Sequence, residues 1–174
     1  MIILGIDPGS RITGFGIIDN QADRIAYIAS GKIRVDGDNL PARLGYIFAA
    51  VNDVIREHQP NQVSIENVFM SRNADSALKL GQARGAAICA AHQAGLEIAE
   101  YAPREIKQAL VGTGAADKQQ VQHMVKRLLG IQQELQADEA DGLAIAICHA
   151  QFHASQRSSG IPAELLKRRR SRRR

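Results

Sequence analysis

Four carboxylates stand where this chain passes between apolar and polar sequence, and they limit its fold more than any other feature. Asp7 closes the run IILGI, Glu66 closes VSI, and Asp138 and Asp141 open the apolar stretch ADEADGLAIAIC. A carboxylate at the end of a buried run costs free energy unless something cationic meets it. Gathered in one place the four would repel, so protons or metal ions would have to hold them there. Oxygen donors without thiolates select hard cations such as Mg2+ or Mn2+ over zinc. The pattern points to metal-assisted chemistry on a phosphate.

The spacing around these acids predicts an α/β chain. Residues 2–7 and 12–19 read as two strands joined by the turn PGSR, and a third strand spans 24–35. Apolar residues at helical spacing predict a helix over 41–58, which Pro60 stops before the strand 62–66. After a loop at 67–73 come a long helix rich in small residues, ending near Gly95, and a strand over 96–101. Helices are expected at 103–111, 116–129 and 137–154. This is a mixed five-stranded sheet with a hairpin on one edge, flanked by helices.

Length and charge set the outer limits. With 174 residues and 45% hydrophobic content, one domain with a real core is expected over 1–155. The net charge of +4 comes from the tail: Lys167–Arg174 holds seven Lys or Arg. Without them 15 basic residues face 18 acidic ones, leaving a body near −3. The segment 156–174 therefore reads as a basic, disordered tail whose default role is generic affinity for nucleic acid. Cys89 and Cys148 lack CxxC spacing and read as small buried hydrophobes. Neither a secretion signal nor a membrane-spanning run is visible, so a cytoplasmic location is expected.

Each acid taken singly has an ordinary explanation. Asp138 could cap a helix, Asp141 could meet its dipole, Asp7 could form a turn before Pro8, and Glu66 could pair on the surface. Together they require four unrelated explanations. Asp138 and Asp141 continue the stripe of Ile145, Cys148 and Phe152, whereas Glu139 points elsewhere. Strand alternation puts Asp7 with Ile3 and Gly5, and Glu66 with Ser64. If the first and fourth strands are parallel neighbours, Asp7 and Glu66 share an end.

The segments IILGIDPGSRITGFGII, SIENVFMSRNADSALKLGQARGAA and QADEADGLAIAICH closely resemble the RuvC family, bacterial Holliday-junction resolvases of the ribonuclease-H-like superfamily. The resemblance runs from residue 1 to about 155 and excludes the tail KRRRSRRR. It implies that Asp7, Glu66, Asp138 and Asp141 are catalytic, metal-binding acids. It further implies two Mg2+ ions, with Mn2+ as substitute, and symmetric paired nicks leaving 5′-phosphate and 3′-hydroxyl ends. A homodimer working with a RuvA–RuvB branch-migration complex in recombination and repair is part of the same implication.

Several residues are candidates for meeting DNA. Phe69 follows Glu66 in a polar loop; it could tuck into the core or wedge between bases, and the resemblance favours the wedge. Lys107 and Lys118 flank the glycine-containing loop VGTGAAD, and the resemblance implies that both support cleavage. Arg72 and Asn73 suit base edges. His123 shares a helix with Lys118, and no role is assigned to it. Gly81 and Gly85 give the long helix a small-residue face, which either packs on the sheet or forms a self-complementary dimer contact. Two other readings compete: an actin-like ATPase, suggested by GIDPGSRITGFGI, and a non-catalytic DNA-binding module driven by the tail. The first needs two such domains; the second would lose its activity without the tail.

Overall fold

The protein is described by a computed structural model covering residues 1–21, 24–67 and 73–159, with side chains to Ser155. The turn after Asp7 sets the first contact of the fold. Thr13 is fully buried, and its hydroxyl donates to the Gly9 carbonyl at 3.2 Å while accepting the Gly9 amide at 3.3 Å. This clamp folds β1 (Ile2–Asp7) back on β2 (Ile12–Asn20), which pairs in turn with β3 (Ile25–Arg34). Both pairings are antiparallel, and the first is the hairpin expected from the turn PGSR.

The other edge is parallel. A crossover through α1 (Leu40–His58) brings β4 (Gln62–Glu66) alongside β1, and α2 (Ala74–Gln93) brings β5 (Glu97–Tyr101) alongside β4. The order across the sheet is β3-β2-β1-β4-β5. Asn39 caps α1 by accepting the Ala42 amide at 3.0 Å, and Gln59 ends the helix in the left-handed region at φ 46°. Three more helices follow among the described residues: α3 (Pro103–Val111), α4 (Lys118–Leu129) and α5 (Ala137–Ser159). The last runs five residues beyond its expected end at 154.

Alternation along the central strands splits the core in two. Leu4, Ile6 and Ile17 face α1 and α2 with Ile47, Val51 and the alanines of α2. Ile3 and Ile18 face α3, α4 and α5 with Leu143, Ile145 and Ile147. Isoleucines dominate both layers because β-branched side chains suit a pleated surface buried on its two faces. The α5 helix is apolar on nearly all sides from Gly142 to Ala150, as a helix inside the core must be. It approaches the sheet so closely that a Cβ at Gly142 would lie 2.4 Å from the Phe15 carbonyl carbon, and one at Gly5 would lie 2.2 Å from the Gly142 oxygen. Glycine is required at both positions.

Two expectations change. Cys148 is buried, but Cys89 is exposed on α2, because the alanines Ala83, Ala87, Ala90 and Ala91 take the sheet-facing side of that helix. Gly81 and Gly85 likewise do not pack on the sheet: a Cβ at either would meet nothing within 4 Å. Among the described residues, no helix is long and apolar enough to cross a membrane.

Candidate active site

Strand parity delivers the first two acids to the same side of the sheet. Gly5 faces Gly142 and Ala146 of α5, so Asp7, two residues on, faces the start of α5. Ser64 donates weakly to the Ile145 carbonyl at 3.3 Å and the Leu4 carbonyl at 3.4 Å, which puts Glu66 on that side as well. Parallel pairing of Ile6 with Ile65 leaves Asp7 and Glu66 side by side at the carboxyl ends of their strands. The condition stated from sequence is met.

The helix supplies the other two. Gln136 precedes α5, and its amide donates to Glu139 Oε2 at 3.1 Å, half of a capping box. The cap position therefore does not belong to Asp138, which lies in the first turn. Close packing of that turn on the sheet is set by Gly14, where a Cβ would fall 2.1 Å from the Asp138 carbonyl oxygen. One turn on, Asp141 lines a cleft of about 220 Å³ together with Asp7, Glu66, Lys107, Lys118 and Ile106. Asp138 does not line this cleft, though its charge is felt at Asp7.

The electrostatics show how crowded the acids are. Burial pushes the Asp7 carboxyl up from 3.8 to about 7, helped by the charges of Glu66 and Asp141 and, least, Asp138, while Lys118 opposes. Glu66 is also raised, first by burial and then by Asp141; a hydrogen bond from Asp7 and the charges of Lys118 and Lys107 pull it back. The consistent picture is a carboxyl pair sharing a proton, with Asp7 donating to Glu66.

Lys118 holds the opposite wall. It opens α4, where a cation meets the helix dipole unfavourably, yet its Nζ lies 2.7 Å from Asp141 Oδ2. That hydrogen bond is the main cause of its raised pKa. The helix start is held by Asp117 and Gln120, each accepting the other's amide at 2.8 and 2.9 Å.

This donor set fits a divalent cation. Three carboxylates of an all-oxygen cleft crowd together, and a proton and a lysine carry the compensating charge that a metal would supply. Among the described residues, no three His, Cys, Asp or Glu side chains already converge at ligating distance on one point. Asp141 is turned to Lys118 instead.

Of the remaining candidates, Lys107 lines the cleft from α3. Asn73 caps α2, its side-chain oxygen accepting the Asp75 and Ser76 amides at 3.0 and 3.3 Å, a role not read from its sequence context. Phe69 and Arg72 lie outside the described residues. His123 is exposed on α4. His149 belongs to the core, where Tyr101 Oη and Gln62 Oε1 lie 2.8 and 2.9 Å from its two ring nitrogens. Sequence reasoning missed Arg84, whose Nε donates to the Glu66 carbonyl at 3.1 Å. One arginine among the small residues of α2 carries no spacing signal that would single it out.

The sequence matches the family described as crossover junction endodeoxyribonuclease RuvC over residues 3–149. It is 58% identical over 154 residues to the RuvC of Shewanella amazonensis, covering 88% of this chain and 89% of that one. Identity to the RuvC of Pseudomonas entomophila is 57% over 169 residues, 97% of this chain and 95% of the other. The fold matches the structure of Thermus thermophilus RuvC in complex with Holliday junction substrate with a TM-score of 0.83 and 34% identity, over 89% of this chain and 96% of that one. A family match over residues 3–149 and relatives more than half identical place the chain in the RuvC family of crossover junction endodeoxyribonucleases.

Proposed function

We propose that this protein resolves four-way DNA junctions in recombination and repair, nicking two strands symmetrically, with Asp7, Glu66, Asp138 and Asp141 as the metal-binding catalytic acids. The observation that carries the site assignment is the Asp7–Glu66 carboxyl pair facing Asp141 across a cleft walled by Lys107 and Lys118. Two Mg2+ ions, replaceable by Mn2+, would activate the attacking water and stabilise the leaving 3′-oxygen.

The chain's own residues account for the rest. Asp7 and Glu66, at adjacent strand ends, give up their shared proton when a cation takes its place. Asp138 and Asp141 approach from the first two turns of α5. Lys118 exchanges Asp141 for a phosphate oxygen of the incoming strand, and Lys107 adds a second positive charge beside it. The positioned water attacks phosphorus opposite the 3′-oxygen, leaving a 5′-phosphate and a 3′-hydroxyl that a ligase can rejoin.

The same reading extends to partners. Phe69 acts as a wedge at the branch point, with Arg72 and Asn73 near base edges. A homodimer is supported by the outward face of α2, where Leu78 is 67% exposed and Gly81 and Gly85 have open space beyond them. Two symmetric nicks require two such sites. A RuvA–RuvB complex supplies branch migration, and the protein works in the cytoplasm. The nuclease domain ends with α5 at Ser159, four residues beyond the expected boundary at 155, and the basic sequence after it adds general affinity for DNA.

Incubation with a synthetic four-way junction and a matched linear duplex, with and without Mg2+, tests the proposal. Paired symmetric nicks confined to the junction and dependent on the metal are expected. Equal degradation of both substrates, or cutting unaffected by chelator, would overturn it. Removing residues 160–174, which leaves α5 whole, should preserve metal-dependent cutting.

A further inference from the structure

We infer that Arg84 is a positioning residue for Glu66, holding the end of β4 so that the carboxylate reaches the cleft at a defined angle. The inference rests on the assignment of Glu66 to the metal site.

The end of β4 lacks part of its ladder. The register of β4 with β1 stops at Ile6 and Ile65, so the Glu66 carbonyl lies beyond that pairing. Arg84 Nε supplies a donor to this oxygen at 3.1 Å. One residue on, the Asn67 amide donates to the Tyr101 carbonyl at 2.8 Å. The Glu66–Asn67 peptide is thus held on both sides, by α2 through its oxygen and by β5 through its nitrogen. The chain is fixed up to the point where it leaves the sheet.

Arg84 itself is held in place. Its side chain is 17% exposed, and Nη2 lies 2.6 Å from Glu100 Oε2, a close ion pair whose angles are not those of a hydrogen bond. Glu100 pairs in register with Ile65, so the guanidinium spans the carboxyl ends of β4 and β5. The neighbouring charges that shift the Glu66 carboxyl are those of Asp141, Lys118 and Lys107. Arg84 meets Glu66 at its main-chain oxygen, and a fixed guanidinium bonded to a carbonyl orients a ligand as outer-shell partners do.

Three variants test this: Arg84→Met, Arg84→Lys, and Glu100→Gln, which frees the guanidinium without removing it. In Arg84→Met, the Asn67 amide should exchange with solvent at least about 10-fold faster, with Val63 and Ile65 unchanged. Mn2+ affinity measured by calorimetry should fall about 10-fold, in the range usual for lost outer-shell partners. Junction cleavage should fail at limiting Mg2+ and recover at high Mg2+, with junction binding in chelator unaltered. Arg84→Lys should recover part of each change, and Glu100→Gln should show a smaller change of the same sign. Wild-type Asn67 exchange and Mn2+ affinity in Arg84→Met would overturn the inference, as would a uniform loss of protection along β4. A parent protein that neither binds Mn2+ nor cuts junctions would instead sink the functional proposal, and the exchange of Asn67 would still decide whether Arg84 holds the strand end.

Discussion

Asp7 concentrates the conflict between folding and function in one side chain. Its carboxyl is raised from 3.8 to about 7, chiefly by burial. A carboxyl raised in the fold keeps a proton that the unfolded chain has already lost. Between those two values unfolding releases that proton, so metal-free stability falls as pH rises, by as much as about 4 kcal/mol from this group. His149 runs the other way: burial first, then His153, lowers it to about 4, so its contribution is lost as pH falls from 6.5. Comparing Asp7→Asn with the parent removes the histidine from the reckoning. The variant should gain on the parent from pH 4 to about pH 7 and level off above it in thermal melts with chelator present, and Mg2+ should narrow the gap at pH 8. Parallel stability curves would show that Asp7 is not strained. In the same variant, cleavage should be abolished while junction binding is kept or improved, because a negative charge beside phosphate is gone.

At the scale of elements, the site depends on how closely α5 lies on the β1–β2 hairpin. The glycines that permit this approach are not interchangeable with the others in the chain. Gly142→Ala drives a Cβ to 2.4 Å from the backbone of Phe15 and should destabilise the fold by about 1–3 kcal/mol, moving Asp138 and Asp141 away from the strand ends. Gly45, exposed within α1 with open space at its Cβ, is the control: Gly45→Ala should be neutral or stabilise by up to about 1 kcal/mol. Chemical denaturation of the two variants decides the point. Equal effects would mean that the close contact is not tight in solution. Opening α4 with Lys118 breaks the helix-dipole rule, and the contact with Asp141 across the cleft is the compensating gain.

Across the whole molecule, the proposed homodimer draws on the face of α2 away from the sheet. Leu78 is 67% exposed, and the glycines beside it allow close approach of another helix. A Leu78→Glu, Gly81→Glu double variant should run as a monomer in light scattering, keep its fold, and nick junction strands singly instead of in symmetric pairs. A dimer that survives both changes would move the interface elsewhere. The same helix carries Arg84 on another side, so any partner docked on α2 lies one helix away from the backbone of Glu66.

Much of this was written locally along the chain. Strand alternation and helical spacing placed the five strands and five helices of the described residues, because the period of apolar residues follows directly from backbone geometry. The four acids were legible as anomalies for the same reason, each standing at the edge of an apolar run. Only the tertiary structure decided which of them meet: Asp7, Glu66 and Asp141 line one cleft, and Asp138 lies beside it. It also decided that Cys89 faces solvent, that Asn73 caps a helix, and that Arg84 grips the carbonyl of Glu66. Those outcomes depend on which face of a helix meets the sheet and which residues distant in sequence lie opposite, and local periodicity specifies neither.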